Sequence, residues 1–190
     1  MDKKYLATIA AFALMLQPLL SQAASDTAAA NDPLKQRVEA HRQQQHQQNA
    51  AFKERLQATP QDQRISLVKE HREARYLENR AFAEQIHNER MSRLRARLGQ
   101  SKKLTDAQRA ERVSAAEDVY RRQLQFHTQQ HRENMQFLDG LAAMSAAERK
   151  EALKHQHERQ KTEAQTFHEG LKAERMAIHG QSRTAPLSSN

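Results

Sequence analysis

The stretch KLTDAQRAERV, Lys103 to Val113, reads as the opening of a helix, and the chain writes that opening three times. ATPQDQRISLV (Ala58–Val68) comes before it and AMSAAERKEAL (Ala143–Leu153) after it. Thr105 and Gln108 have capping-box spacing: the Thr hydroxyl accepts the third backbone N–H of the helix, and the Gln side chain reaches back to the cap N–H. Ser145 and Glu148 repeat that spacing. Thr59 is read as a variant cap with Pro60 at the first helical position, where a missing N–H costs nothing, and Asp32-Pro33 gives a fourth start. Gly99-Gln100-Ser101 and Asp139-Gly140 supply stops before two of the restarts. The expected fold is therefore all-α: four long amphipathic helices over 33–57, 60–98, 105–139 and 145–179.

The openings belong to a longer internal repeat. With Arg64, Arg109 and Arg149 as origins, Phe82, Phe126 and Phe167 follow at offsets of 18, 17 and 18, and Met91, Met135 and Met176 at 27, 26 and 27. The first helix carries a partial copy, HRQQQHQQNAAFKE (His41–Glu54) against HREARYLENRAFAE (His71–Glu84), with His, Arg, Asn, Ala, Phe and Glu in register. A helical repeat of 40–45 residues follows. The apolar stripes are thin. Val113, Ala116, Tyr120, Leu124, His127, His131 and Leu138 share one face of the third helix, a 3.6-residue periodicity too sparse for a thick core. Paired hairpins or a shallow cradle suit such helices better than a compact bundle, and pairing with a second copy offers further cover.

Lys3 and Lys4, an apolar run from Leu6 to Leu20 and Ser21-Gln22-Ala23 make a secretory signal peptide over 1–23, with cleavage expected after Ala23. That run falls short of the ~20 apolar residues a spanning helix needs. Export to the periplasm is the expectation, with a flexible segment at 24–32, a single all-helical domain at 33–179 and a disordered tail at 180–190. No cysteine is present, which removes disulfides, thiolate metal sites, cysteine nucleophiles and a lipoprotein anchor. The net charge of +8 combines 31 basic with 23 acidic residues dispersed along the chain. That pattern suits solvated helices laced with ion pairs, with attraction to acidic partners as a second effect.

Leu104-Thr105-Asp106-Ala107-Gln108 carries a family resemblance. An exported, helical, cysteine-free basic protein with a Leu-Thr-x-x-Gln element resembles the periplasmic chaperone and stress-adaptor family of Spy and CpxP, with its zinc-resistance-associated relatives. Met144-Ser145-Ala146-Ala147-Glu148 matches in type only, and Ala58-Thr59-Pro60-Gln61-Asp62 less well. The resemblance implies a cradle-shaped dimer and ATP-independent binding of unfolded clients, or sensing of envelope stress.

His127 and His131 are four apart, so both imidazoles can face one zinc or copper ion; no HExxH or Cys/His cluster accompanies them. No Gly-rich phosphate loop or GxSxG element occurs, so an enzyme is not expected. Arg93, Arg95 and Arg97 in RMSRLRARL could neutralise phosphates, but export argues against nucleic acid. The leading expectation is a chaperone-like binding protein without cofactors. Its client surface would combine Phe82, Phe126, Phe167, Met91, Met135 and Met176 with Arg93, Arg95 and Arg97. A helical adaptor for one envelope partner and a His-based metal-responsive protein are the alternatives.

Overall fold

The structure, a computed structural model, describes residues 32–184, with side chains through Met176 except that of residue 175. The expected signal peptide and most of the segment at 24–32 lie outside the described residues. Four α-helices follow one another: α1 (Pro33–Ala58), α2 (Arg64–Gly99), α3 (Asp106–Leu141) and α4 (Ala146–Thr184). A 3₁₀ turn, Gln61–Gln63, precedes α2, and there is no strand among the described residues. None of these helices is long and apolar enough to cross a membrane. The chain divides into two compact units between Lys150 and Glu151. The helix α4 runs to Thr184 and takes in the first residues of the expected tail.

Two of the three repeated openings form as read. The Thr105 hydroxyl accepts from the Gln108 N–H at 3.2 Å, and Gln108 Oε1 accepts from the Thr105 N–H at 3.0 Å. Ser145 and Glu148 do the same at 3.4 and 2.7 Å. Asp32 caps α1 by accepting from the Leu34 N–H. Thr59 departs from the reading. It ends α1 rather than starting α2, its hydroxyl donating to the Arg55 carbonyl at 2.8 Å. Pro60 then leads into the 3₁₀ turn, and α2 begins without a side-chain cap.

The stops also work differently from the expectation. Gly140 lies inside α3, and the residues that close α2 and α3, Gln100 and Ala142, are right-handed. Backbone N–H groups of Gln100, Ser101 and Met144 meet the Ala96, Leu98 and Leu141 carbonyls. At each turn an arginine from the first turn of the next helix adds its own bonds to carbonyls at or just beyond the helix end. Arg64 donates to the carbonyls of Gln57 (3.3 Å) and Thr59 (2.8 Å). Arg109 donates to Ser101 (2.7 Å), and Arg149 to Leu141 (2.9 Å) and Ala142 (3.3 Å). These are the three arginines from which the repeat is counted. A planar guanidinium can bridge two carbonyls and places positive charge where a helix C-terminus favours it.

The first unit packs as two antiparallel hairpins that share α2. Leu34, Val38 and Ile86 form an apolar cluster against which Phe82 rests. Much of the remaining interior is polar: His41, Gln45, Arg72, Arg75, Asn79, His127 and His131 are all buried. Buried polar groups are tolerable only when hydrogen-bonded, so the polar partners decide how these helices meet. In the second unit α4 buries Leu153, Gln156, Gln160 and Leu171 along one face.

Thr105→Ala is expected to destabilise the protein by about 1 kcal/mol through the lost cap. Arg149→Lys should also lower the melting temperature, because a point-like ammonium cannot reproduce the two-carbonyl fork. Thermal unfolding followed by circular dichroism checks both.

Candidate functional site

The repeat acquires its meaning in the pairing of α1 with α2. His41 stacks on Phe82 with ring centroids 3.9 Å apart, and Phe52 stacks on His71 at 3.7 Å with the rings within 4° of parallel. His41 and Phe52 lie eleven residues apart on α1, as do His71 and Phe82 on α2. Eleven residues are close to three helical turns, so each His and its Phe share a face. In an antiparallel pair, two such faces meet with every His opposite a Phe. The asparagines follow the same rule: His71 Nε2 lies 3.3 Å from Asn49 Oδ1, and His41 Nε2 lies 3.0 Å from Asn79 Oδ1. The Gln45 amide donates to Asn79 as well. The residues aligned between the two sequences, His with His, Asn with Asn and Phe with Phe, form a self-complementary set.

The helices α2 and α3 repeat this arrangement with tyrosine. Tyr76 stacks on His131 at 4.0 Å and His87 on Tyr120 at 3.7 Å, again with eleven residues between the two rings on each helix. The Tyr76 hydroxyl donates to Thr128 Oγ1 at 2.9 Å, while Thr128 donates to the Leu124 carbonyl. His131 Nε2 contacts Glu73 Oε2 at 2.8 Å. Thus α2 carries two ladders, His71/Phe82 towards α1 and Tyr76/His87 towards α3.

The environments of these imidazoles differ. Burial, followed by Arg75, Arg72 and Arg55, pushes His71 down to about 4, with Glu78 opposing. Burial also lowers His87, against the pull of Glu117. Burial pulls Arg72 down to about 10, leaving it cationic at neutral pH.

The residues assigned to a client surface separate into different settings. Phe82 is half-buried in the α1–α2 core, and Met91 is buried. Phe126 and Phe167 are half-buried, each edge-on to the adjacent histidine, His127 and His168. Met135 is half-buried, and Met176 stands exposed at 62 %. Arg93 is held by Asp32 at 2.8 Å and Glu89 at 2.6 Å, and Arg95 by Glu117 at 2.6 Å. The Arg93 hydrogen bond, with that of the Leu34 N–H, holds the Asp32 carboxyl below the usual carboxylate range. Arg93 and Arg95 therefore fasten helices to each other, while Arg97 is exposed.

As for metal, His127 is buried, and His131 has a carboxylate and a tyrosine ring as neighbours. Among the described residues no three His, Asp or Glu side chains converge in a way that could hold an ion. The imidazole–aromatic ladders went unread in the sequence, although the alignment of His41–Glu54 with His71–Glu84 already contained one of them. Treating each half as the other's antiparallel partner would have found it. Comparison with protein-family models, curated proteins and solved structures gives no match for the chain.

Flat stacks of this kind should couple energetically. A double-mutant cycle on His71→Ala and Phe52→Ala is expected to give a coupling of about 0.5–1.5 kcal/mol in urea unfolding. Strictly additive effects would show that the rings are merely adjacent.

Proposed function

We propose that this chain is an exported helical binding protein, chaperone-like and without chemistry of its own, that takes up unfolded or aggregation-prone segments. The observation that carries the reading is the contrast between two helices of equal length. Of 36 residues each, α2 buries ten side chains and α3 only four. Val113, Tyr120, Leu124, Phe126, Met135 and Phe137 on α3 are all only half-covered. Half-covered aromatic, aliphatic and thioether groups can adapt to varied apolar segments. Exposed arginines among them, Arg112, Arg121 and Arg132, favour encounter with acidic chains. The N-terminal Lys-Lys, apolar run and Ser-Gln-Ala pattern supports the periplasm as the place of action, and Leu104–Gln108 supports kinship with the Spy and CpxP family.

A second reading has its own support. Arg93 and Arg95 are engaged in ion pairs between helices, which leaves less charge for client capture and favours a helical adaptor with one envelope partner.

Light scattering of an aggregating client, with and without the purified chain lacking residues 1–23, tests the proposal. Suppression of scattering is expected, weakening as salt rises and exposed charges are screened beyond about 8–10 Å. Phe126→Ala should weaken suppression while costing less stability than Phe82→Ala, whose ring rests on the Leu34–Val38–Ile86 cluster. Absence of suppression across several clients, beside tight one-to-one binding of a single envelope protein, would favour the adaptor.

A further inference from the structure

The two ladders on α2 face different charges. His131, between α2 and α3, has the Glu73 carboxylate at 2.8 Å, a negative charge directly beside the ring. Burial lowers His87, on the same side, but there the Glu117 carboxylate of α3 opposes Arg90 and Arg95. His71, between α1 and α2, meets Asn49, Phe52 and Arg55 from α1 and lies beside Arg72, Arg75 and Glu78 of its own helix. The one carboxylate in that set, Glu78, is already held by Arg75 at 2.6 Å. Arg72 is buried close by. On the other rung, His41 meets the amides of Gln45 and Asn79 and the Phe82 ring.

We propose that the α1–α2 hairpin is an acid-sensitive joint: mild acidification loosens α1 from α2 while α2 and α3 stay paired. Protonating His71 adds a cation to a partly desolvated site that already holds three guanidinium groups. The Phe52 ring face attracts a cation, and Asn49 Oδ1 still accepts from the ring, but neither offsets burial together with that repulsion. The direction follows from linkage. His71 is held neutral in the closed hairpin, with its pKa pushed down to about 4, whereas a solvated imidazole titrates near 6.5. The opened state therefore binds the extra proton, so closure keeps its full stability above about pH 6.5 and loses it as pH falls towards 4. Phe52 and Leu56 of α1, both buried in the closed hairpin, lose their cover on opening.

Hydrogen–deuterium exchange of the full chain lacking residues 1–23, corrected for intrinsic exchange rates, tests this near pH 7 and pH 4.5. Opening of α1 is expected to increase by about tenfold at the lower pH, a value discounted for the half exposure of the ring. Protection in α3 should change far less. His71→Phe keeps a ring against Phe52 but cannot titrate, and should hold α1 closed near pH 4.5. Equal protection of α1 at both pH values, parallel loss from α1 and α3, or acid opening undiminished in His71→Phe would each overturn the proposal. Should the variant not fold at neutral pH, NMR titration of the parent His71 ring decides instead. A midpoint well below 6 supports the joint, and one at or above 6.5 refutes it.

Discussion

Flat contact between imidazole and aromatic rings sets the packing on both sides of α2. Helices built from Gln, Arg, Glu and Ala have too few large apolar residues to fill a continuous seam, so the space between them goes to side chains with polar edges. A His ring on Phe or Tyr buries its faces as an aromatic does and keeps its nitrogens at the rim for Asn or Glu. The eleven-residue step then fixes register. Sliding one helix by a turn would separate each stacked His from its ring, and His41 and His71 from their amides as well, leaving buried polar atoms unsatisfied. The interior chooses its pairing by the penalty on wrong registers as much as by the gain in the right one.

The all-α class, the helix order and two of the three internal caps were legible because they depend on residues within one turn of each other. Thr105 with Gln108 and Ser145 with Glu148 need no tertiary partner to be recognised. Thr59 was misread because Pro60 permits either a helix start or a chain reversal, and the backward bond from its hydroxyl to Arg55 settled the choice. Gly99 and Gly140 were read as stops on the assumption that a glycine beyond a helix turns left-handed. Here right-handed residues at the helix ends let backbone N–H groups and arginines share the carbonyls, so the chain needs no such turn. The ladders lay beyond periodicity altogether, because their meaning comes from which helix faces which.

The repeat positions have taken up different work. Phe82 rests on the apolar cluster of the first hairpin and Met91 is buried, whereas Phe126 and Met135 on α3 are half-buried. A duplicated helix gives two identical faces only if both meet the same neighbours. Because α2 is flanked on two sides and α3 buries so little, one side-chain pattern yields core on the first and a half-covered face on the second. The charges diverge in parallel: the arginines that end α2 reach Asp32 and Glu117 and brace the helices on either side.

The arginine bridges at the turns bear on how the chain reaches this arrangement. Each closes between groups five to eight residues apart, from Arg64 to Thr59 or Gln57, from Arg109 to Ser101 and from Arg149 to Leu141 or Ala142. Segments that short close in well under a microsecond, whereas pairing His41 with Phe82 must draw together residues 41 apart along the chain. The reversals can therefore take shape while the ladders are still open, and those at Arg64 and Arg109 deliver α1, α2 and α3 already pointed back along one another. The chain's slow search is then reduced to sliding preformed helices until the rings find their opposites, the behaviour of a low-contact-order fold.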